Sequence, residues 1–164
     1  MTNNRNHGNT LLTLVLCLLA SVAFAGQDED DVLAVADKAL ERITAEDSIG
    51  LTDLMIEDAM VYVGSLRDGE YQVGVRTYAD TRTRAMEDDF VERGFDPTVL
   101  VSGPIAMVWY PYDFYINGEW SHCGIDIFTM ARTNDGWRIT TLMFNSQQPP
   151  ECEPPPDGPP ASSS

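Results

Sequence analysis

The residues best suited to chemistry are one histidine and two aspartates in the second half of the chain. His122 lies between Asp113 and Asp126 in a stretch rich in aromatic and apolar residues. Imidazole and carboxyl groups are the usual general acids and bases, and an apolar site can move their pKa values towards neutrality. If these three residues lie on the same face of a β-sheet, His122 paired with Asp113 is a candidate general base, with Asp126 nearby. A polar pair that only stabilises a hairpin is the alternative.

The dipeptide Asn117-Gly118 is the element that would position these residues. A type I′ turn needs positive φ at both central residues, so this pair predicts a two-residue hairpin loop. Such a loop places Asp113 opposite His122. It also places Trp109 opposite Asp126. Because side chains alternate along a strand, the three candidate catalytic residues then share one face.

Aromatic residues on that predicted face would wall a pocket around the candidate residues. Tyr62 or Tyr115 could donate a hydrogen bond to a developing enolate oxygen. Rings at these positions more often belong to a core. Asp126 is harder to explain as a core residue, because burying an acidic side chain costs free energy unless it has a hydrogen-bond or charge partner or contacts water. The predicted pocket residues are Tyr62, Trp109, Tyr115, Trp120, Phe128 and Asn145.

The periodicity of the chain changes once, from helical to strand-like. Residues 32–43 have apolar side chains at helical spacing, which predicts a first helix. A short second helix is expected over 48–56. A capping box at residues 77–80 predicts a third helix that runs to about Asp89. Asp68-Gly69 predicts a turn. Strands are expected over 60–63, 71–75, 98–101, 105–116, 119–133 and 137–145. The pattern predicts an α+β fold with three N-terminal helices on a curved, mostly antiparallel sheet.

The second face of the long hairpin is apolar, and three helices can cover only one face of a sheet. That face is predicted to carry Tyr110, Tyr112, Phe114, Ile125 and Ile127. An uncovered apolar patch usually marks an interface. We therefore expect a homodimer through the sheet.

Composition excludes several classes of function. The chain has 164 residues, 10 Lys plus Arg, 26 Asp plus Glu and a net charge of -16. This charge repels phosphate backbones and anionic membranes, so we expect no nucleic acid and, once the leader is removed, no membrane as partner. One histidine and two distant cysteines make a structural metal improbable. No cofactor is expected.

The two ends of the chain read as segments outside the fold. An apolar run from Leu11 to Ala20 followed by Ala23-Phe24-Ala25 predicts a signal peptide over residues 1–25, hence a secreted or periplasmic protein. Residues 149–164 are rich in proline and are predicted to be a disordered tail. The domain is expected over 27–148. Cys123 and Cys152 would then meet an oxidising compartment, where a disulfide is permitted but not required.

Local motifs suggest a family for this order of elements. The runs Val108-Trp109-Tyr110-Pro111-Tyr112-Asp113, Ser121-His122-Cys123-Gly124-Ile125-Asp126 and Asp135-Gly136-Trp137-Arg138-Ile139 resemble the nuclear-transport-factor-2-like superfamily, in its exported bacterial branch labelled lumazine-binding or polyketide-cyclase-like. The resemblance implies a cone-shaped α+β domain. Its catalytic residues do not align onto this chain.

Three function classes follow. The first is an exported protein that binds a small hydrophobic molecule in the cone. The second is a lyase or isomerase that moves protons on a small hydrophobic carbonyl compound, without a cofactor. The third is a structural or interaction module whose cone is filled by its own side chains. A cavity beside His122 separates the first two from the third.

Overall fold

The computed structural model describes residues 8–85 and 87–154, with side chains from residue 26 onward. Three helices and seven strands lie in these residues. They are α1 (Gly8–Thr44), α2 (Ser48–Thr52), β1 (Met55–Arg67), β2 (Glu70–Thr77), α3 (Tyr78–Arg82), β3 (Phe90–Gly94), β4 (Thr98–Ser102), β5 (Ile105–Ile116), β6 (Glu119–Thr133) and β7 (Gly136–Ser146).

The strands form one mixed sheet in the order β2-β1-β7-β6-β5-β3, with β4 paired to β5 beside β3. Strands β1 and β7 are parallel, and the other neighbours are antiparallel. We call the face that packs against α1 the inner face, and the opposite one the outer face. The α+β prediction, with three helices on a curved sheet, is confirmed.

Helix α1 supplies most of the cover for the inner face. Val32, Ala36, Ala39 and Leu40 follow helical spacing, and all four are buried in the core. The helix continues towards the N-terminus through the expected cleavage site at Ala25. Residues 1–7 of the expected signal peptide lie outside the described residues, and cleavage stays a prediction. In the part of the chain that was described, no helix is long and apolar enough to span a membrane.

Helix α3 begins at the predicted capping box. The Thr77 hydroxyl accepts a hydrogen bond from the Asp80 amide (3.1 Å), and the Thr77 amide donates to the Asp80 carboxylate (3.0 Å). The predicted end at Asp89 is wrong, because the helix ends at Arg82. The side chain of Asn117 accepts from the Asp89 amide (3.0 Å), which holds the chain at the start of β3, a strand that the sequence pattern did not predict.

Helix α2 is also shorter than predicted. It ends at Thr52 rather than at residue 56, and β1 starts at Met55. The carbonyl of Leu54 accepts from the amide of Ile139 in β7 (2.9 Å), so pairing with the sheet takes over where the helix was expected to continue.

The Asn117-Gly118 turn is confirmed, but the register predicted from it is wrong. Both residues have positive φ, 54° and 79°. Tyr115 pairs with Trp120 as predicted, and Phe114 then pairs with His122. Ser121 is therefore an extra residue, a β-bulge, and every later pair is shifted by one.

The bulge changes which side chains share a face. Asp113 pairs with Cys123 rather than with His122, and Trp109 pairs with Ile127 rather than with Asp126. His122 and Asp126 consequently lie on the inner face, and Asp113 lies on the outer face.

The tyrosines assigned to the uncovered face lie beneath the helices. Tyr110 pairs with Asp126 on the inner face, and its hydroxyl donates to Asp37 of α1 (2.8 Å). Burial and the neighbouring Asp37 raise the pKa of Tyr110 to about 12. The predicted dimer surface is therefore corrected in its residues: Tyr110, Tyr112 and Phe114 lie on the inner face and cannot contribute to it.

A disulfide joins Cys123 to Cys152, with their Cα atoms 6.4 Å apart. The backbone groups of Cys123 and Gln147 also exchange two hydrogen bonds (3.1 and 2.8 Å). The chain after β7 is thus fixed to β6 at the residue that follows His122, so residues 149–154 of the expected tail are not independent of the domain. Residues 155–164 of that tail lie outside the described residues.

The thiol count gives a direct test of this link. Denatured, unreduced protein should have no free thiol if residues 1–25 have been removed, and only the Cys17 thiol if they are retained. Thiol titration before and after reduction measures this. Two free thiols from Cys123 and Cys152 would contradict the disulfide.

Candidate functional site

A cavity of about 270 Å³ lies on the inner face, where the ends of α1 and α3 meet β3 and the β5–β6 hairpin. Its walls come from three helices and from strands at both edges of the sheet. Residues of the wall are Ile43, Ser48, Leu51, Val61, Arg76, Thr81, Arg84, Phe90, Glu92, Tyr112, Phe114, Ile116, His122, Asp126, Leu142 and Phe144. Most of this surface is apolar, with few polar groups, as in sites for small molecules.

Two carboxyl groups interact inside this cavity. Asp126 of β6 is 1% exposed. Glu92 of β3 is anchored through its amide, which donates to the Thr44 hydroxyl of α1 (3.0 Å). Glu92 Oε2 and Asp126 Oδ2 are buried, and the two carboxyl groups share a side-chain hydrogen bond, which requires one of them to be protonated.

Burial makes this pair hold protons at pH values where carboxyl groups are normally ionised. Burial raises the pKa of Asp126, and both burial and the neighbouring Asp126 raise the pKa of Glu92 well above its usual range. Two adjacent carboxyl groups out of contact with water cannot both ionise, so a shared proton is the favourable state. The pair can both accept and donate a proton near neutral pH.

Tyr112 borders the carboxyl pair. Its hydroxyl donates to the backbone carbonyl of Asn145 (2.8 Å), while the Asn145 side chain accepts from the Ile125 amide (2.7 Å). Burial, followed by the charges of Asp126 and Glu92, raises the pKa of Tyr112. Tyr112 is therefore a fixed, neutral phenol, and Asn145 acts by positioning it.

His122 lies between aromatic rings. Its ring stacks on Phe114 with centroids 5.0 Å apart and meets the Tyr112 ring edge-on at 5.7 Å. Its Nδ1 is 3.0 Å from the Ser121 hydroxyl. Burial lowers the pKa of His122, because apolar surroundings disfavour the imidazolium.

We expect His122 to titrate below the ordinary value of about 6.5 and to be neutral at pH 7. Proton NMR of the imidazole signals against pH measures this, and His122→Gln distinguishes its signals from those of His7. A midpoint above 6.5 would contradict the apolar environment described for the ring.

Two arginines share the cavity wall. Arg76 of β2 is partly buried, with its guanidinium 5.9 Å from the centroid of the Phe144 ring. Arg84 follows α3, and its exposed side chain shows that the cavity reaches the surface. Burial and the nearby charge of Arg84 lower the pKa of Arg76.

The structure brings two of the three predicted catalytic residues into the cavity. His122 and Asp126 line it. Asp113 lies on the outer face, where Arg93 Nε donates to its carboxylate (2.9 Å) and Arg93 Nη2 forms an ion pair with it. The predicted His122–Asp113 pair does not exist, because of the bulge at Ser121.

None of the predicted pocket residues lines the cavity. Phe128 is on the inner face but in the hydrophobic core. Tyr62 and Trp109 lie on the outer face, since their neighbours Val61 and Val108 are buried inside. Tyr115 and Trp120 pair on the outer face, and the Arg93 guanidinium contacts the Tyr115 hydroxyl (2.9 Å). Asn145 is linked to the cavity only through Tyr112.

Glu92, Arg76, Arg84 and Tyr112 line the cavity but were not predicted from the sequence as site residues. Glu92 belongs to a strand that the pattern did not reveal. The arginines read as ordinary surface charges. Tyr112 was assigned, together with Tyr110 and Phe114, to the face that the helices do not cover, and alternation along β5 alone does not show which face the helices cover.

Two larger depressions, of about 460 and 690 Å³, lie elsewhere on the molecule. In the residues whose burial is known, neither is lined by a buried titratable group. The residues described also contain no group of three His, Cys, Asp or Glu side chains that could hold a metal ion. The smaller cavity is therefore the candidate site.

Comparison with known proteins places the fold. No protein-family model matches the chain. No curated protein is significantly similar to it. Among solved structures, an NTF2-like protein with a cystatin-like fold from Novosphingobium aromaticivorans has a TM-score of 0.61 at 18% identity, covering 88% of this chain and 94% of that one.

Two further structures agree with this fold. An NTF2-like superfamily protein from Salmonella enterica serovar Typhimurium has a TM-score of 0.60 at 14% identity, over 77% of this chain and 95% of that one. A proposed dehydratase of the NTF2-like family from Streptomyces avermitilis has a TM-score of 0.57 at 15% identity, over 76% and 99%. The chain therefore has the NTF2-like cone fold. Similarity at sequence identities this low shows that the fold is shared, and it does not show that the activity is shared.

Proposed function

We propose that this protein binds a small, largely hydrophobic molecule in the inner-face cavity. The observation that carries the proposal is an apolar cavity whose wall holds two buried carboxyl groups, Glu92 and Asp126, that interact with each other. A carboxyl pair that shares one hydrogen bond has further acceptor sites, so its place on a cavity wall favours a bound molecule that donates to them. The volume is near the lower end of the range for ligand sites, about 300 Å³, which favours a compact molecule.

The alternative of a filled cone receives no support from this geometry. Phe128, Met130 and Ile139 do fill the middle of the domain. The end bounded by Glu92 and His122 is nevertheless open. A structural module would have no need of ionisable groups at such a position.

Native mass spectrometry of protein purified from its own cells tests the binding proposal. We expect a retained molecule of defined mass. Ile116→Trp should fill the cavity and abolish retention, while Ile127→Trp on the outer face should leave it unchanged. Retention of the molecule by the Ile116→Trp variant would refute binding in this cavity. So would a wild-type protein whose mass is the same under native conditions and after denaturing extraction, because no molecule is then retained.

A second function, proton transfer by a lyase or isomerase, is favoured by one specific feature. The Glu92–Asp126 pair can take a proton from carbon beside a carbonyl group and return it elsewhere, so the reaction needs no cofactor. His122, neutral at pH 7, or the protonated carboxyl can donate to the enolate oxygen. The same residues suffice for binding without turnover.

Deuterium exchange separates these two functions. If the site transfers protons, the retained molecule should exchange carbon-bound hydrogen with D₂O in the presence of the protein, and Asp126→Asn should slow exchange at least about 100-fold. Bound molecule without exchange would leave the binding function and reject the enzymatic one.

Secretion or residence in the periplasm is proposed on two grounds. One is the signal-like segment over residues 1–25. The other is the Cys123–Cys152 disulfide, since such bonds persist in oxidising compartments. Protein recovered from the periplasm or medium should begin at Gly26 by N-terminal sequencing, and a start at Met1 would contradict processing.

A homodimer through the outer face also remains a proposal, with corrected residues. Paired positions on β2, β1, β7, β6 and β5 form an apolar row across that face: Val75, Tyr62, Met143, Ile127 and Trp109. Val75, Met143 and Trp109 are 53%, 44% and 43% exposed, enough apolar surface to favour association with a second copy.

Light scattering tests the dimer. We expect a dimer mass at micromolar concentration, reduced to the monomer mass by Trp109→Glu, while Tyr71→Glu at the sheet edge leaves the mass unchanged. A monomer mass for the wild-type protein across this range would refute the proposal.

A further inference from the structure

The two arginines of the cavity wall suggest what the bound molecule is. Four other arginines pair with aspartates, as expected in a chain with 26 acidic and 10 basic residues: Arg42, Arg82, Arg93 and Arg132. Among the side chains described, no carboxylate forms an ion pair with Arg76 or Arg84. Arg67 and Arg138 likewise form no ion pair among the described side chains, but Arg76 and Arg84 differ from them because they line the cavity.

Arg76 is held in a partly buried position, where a guanidinium group without an anionic partner costs free energy. Its Nε is buried and has no hydrogen-bond partner in the described part of the protein. Its guanidinium lies over the Phe144 ring, which restrains its position without accepting a conventional hydrogen bond. Burial and Arg84 both disfavour its charge, as the lowered pKa of Arg76 indicates. An anion between the two guanidinium groups would remove both costs.

The remaining walls limit the rest of the molecule. Arg76 comes from β2 and Glu92 from β3, which are strands at opposite edges of the sheet. The surface between them includes Phe90, Phe114 and Phe144. A suitable molecule thus has an anionic end, an apolar body and a neutral polar group that reaches the carboxyl pair.

We propose that the molecule bound in this cavity is a compact carboxylic acid with an aromatic or alicyclic body, whose carboxylate is held by Arg76 and Arg84. This inference rests on the proposed function, because it names the chemical class of molecule that the same cavity binds. A carboxylate matches the fork of donors on a guanidinium, and the cavity of about 270 Å³ leaves room for a small ring system.

Matched pairs of probes test the inference. Binding of benzoate, 2-naphthoate and cyclohexylacetate is measured by calorimetry against the corresponding amides, which have the same shape and no charge. We expect at least one acid to bind tenfold or more tightly than its amide. The net charge of -16 would on its own favour the amides, so a preference for the acid requires local cations.

Variants then locate the preference. Arg76→Gln and Arg84→Gln should each reduce the ratio of acid to amide affinity at least fivefold without weakening the amide, and Arg76→Lys should restore part of it. Arg138→Gln, the same charge change outside the cavity, should leave the ratio unchanged. Because Arg84 is exposed, we expect the Arg84→Gln variant to fold, and it tests the inference if Arg76→Gln does not fold.

The outcomes separate this inference from the function on which it rests. Amides that bind as tightly as acids to the wild-type protein overturn the inference and leave the binding function intact. The same holds if the preference for acids survives both arginine variants. Failure of every acid and amide to bind, together with no retained molecule in native mass spectrometry, overturns both.

Discussion

Replacing Asp126 with asparagine should stabilise the ligand-free protein at pH 8 by up to about 5 kcal/mol, the equivalent of a shift of about four pKa units. In the folded protein burial raises the pKa of Asp126 to about 8, and raises that of Glu92 well above its usual range. In the unfolded chain both groups ionise at about pH 4. Between these values the folded state holds protons that the unfolded state has released.

The sign of the pH dependence follows from this difference. Stability from the carboxyl pair is fully present below about pH 4 and is lost as the pH rises to about 8. Urea unfolding of the wild-type protein should therefore show a fall over this range that Asp126→Asn reduces. An Asp126→Asn variant that is less stable than wild type at pH 8, or that keeps the full pH dependence, would contradict the buried carboxyl pair.

Replacing Asp113 with asparagine should have the opposite effect and destabilise the protein by about 2 to 3 kcal/mol at pH 7. Asp113 is 2% exposed, as deeply buried as Asp126 at 1%, but it accepts hydrogen bonds from Arg93. Asparagine would replace the carboxylate that pairs with Arg93, whose side chain is 26% exposed, by a neutral amide.

The two aspartate variants control for each other. Each replaces a buried aspartate with an asparagine of nearly the same volume, so a purely steric effect predicts the same change in stability for both. Urea unfolding at pH 7 measures the difference. A second cycle with Arg93→Met should show that Asp113→Asn costs less once the arginine is gone, since the ion pair that this substitution breaks is then already absent. Equal costs with and without Arg93 would reject the ion pair as the cause.

Much of the fold is predictable from the sequence because it rests on local signals. The apolar stripe of α1, the Thr77–Asp80 capping box and the Asn117-Gly118 turn each depend on neighbouring residues. Strand β3 lacks such a signal. It exists because its backbone pairs with residues 112–116 of β5 and because Thr44 binds the Glu92 amide.

The site was predictable only in part, and for a physical reason. His122 and Asp126 stand out as a histidine and a buried acid in an apolar strand. Their partner, Glu92, lies 34 residues before Asp126 on a strand that forms through long-range pairing. Charged residues such as Arg76 give no local sign of facing a cavity, because their position depends on which face of β2 the whole sheet buries.

The bulge at Ser121 has a consequence for how such sites can arise. Removing one residue there would rotate the rest of β6 by half a turn relative to β5, so that Asp126 would exchange faces with its neighbours Ile125 and Ile127. A single-codon insertion in an ancestral hairpin is thus sufficient to carry a set of ionisable side chains from the outside of a sheet to its interior. In this architecture, new chemistry in the cone can come from a change of strand length, without any change in the identity of the residues that perform it.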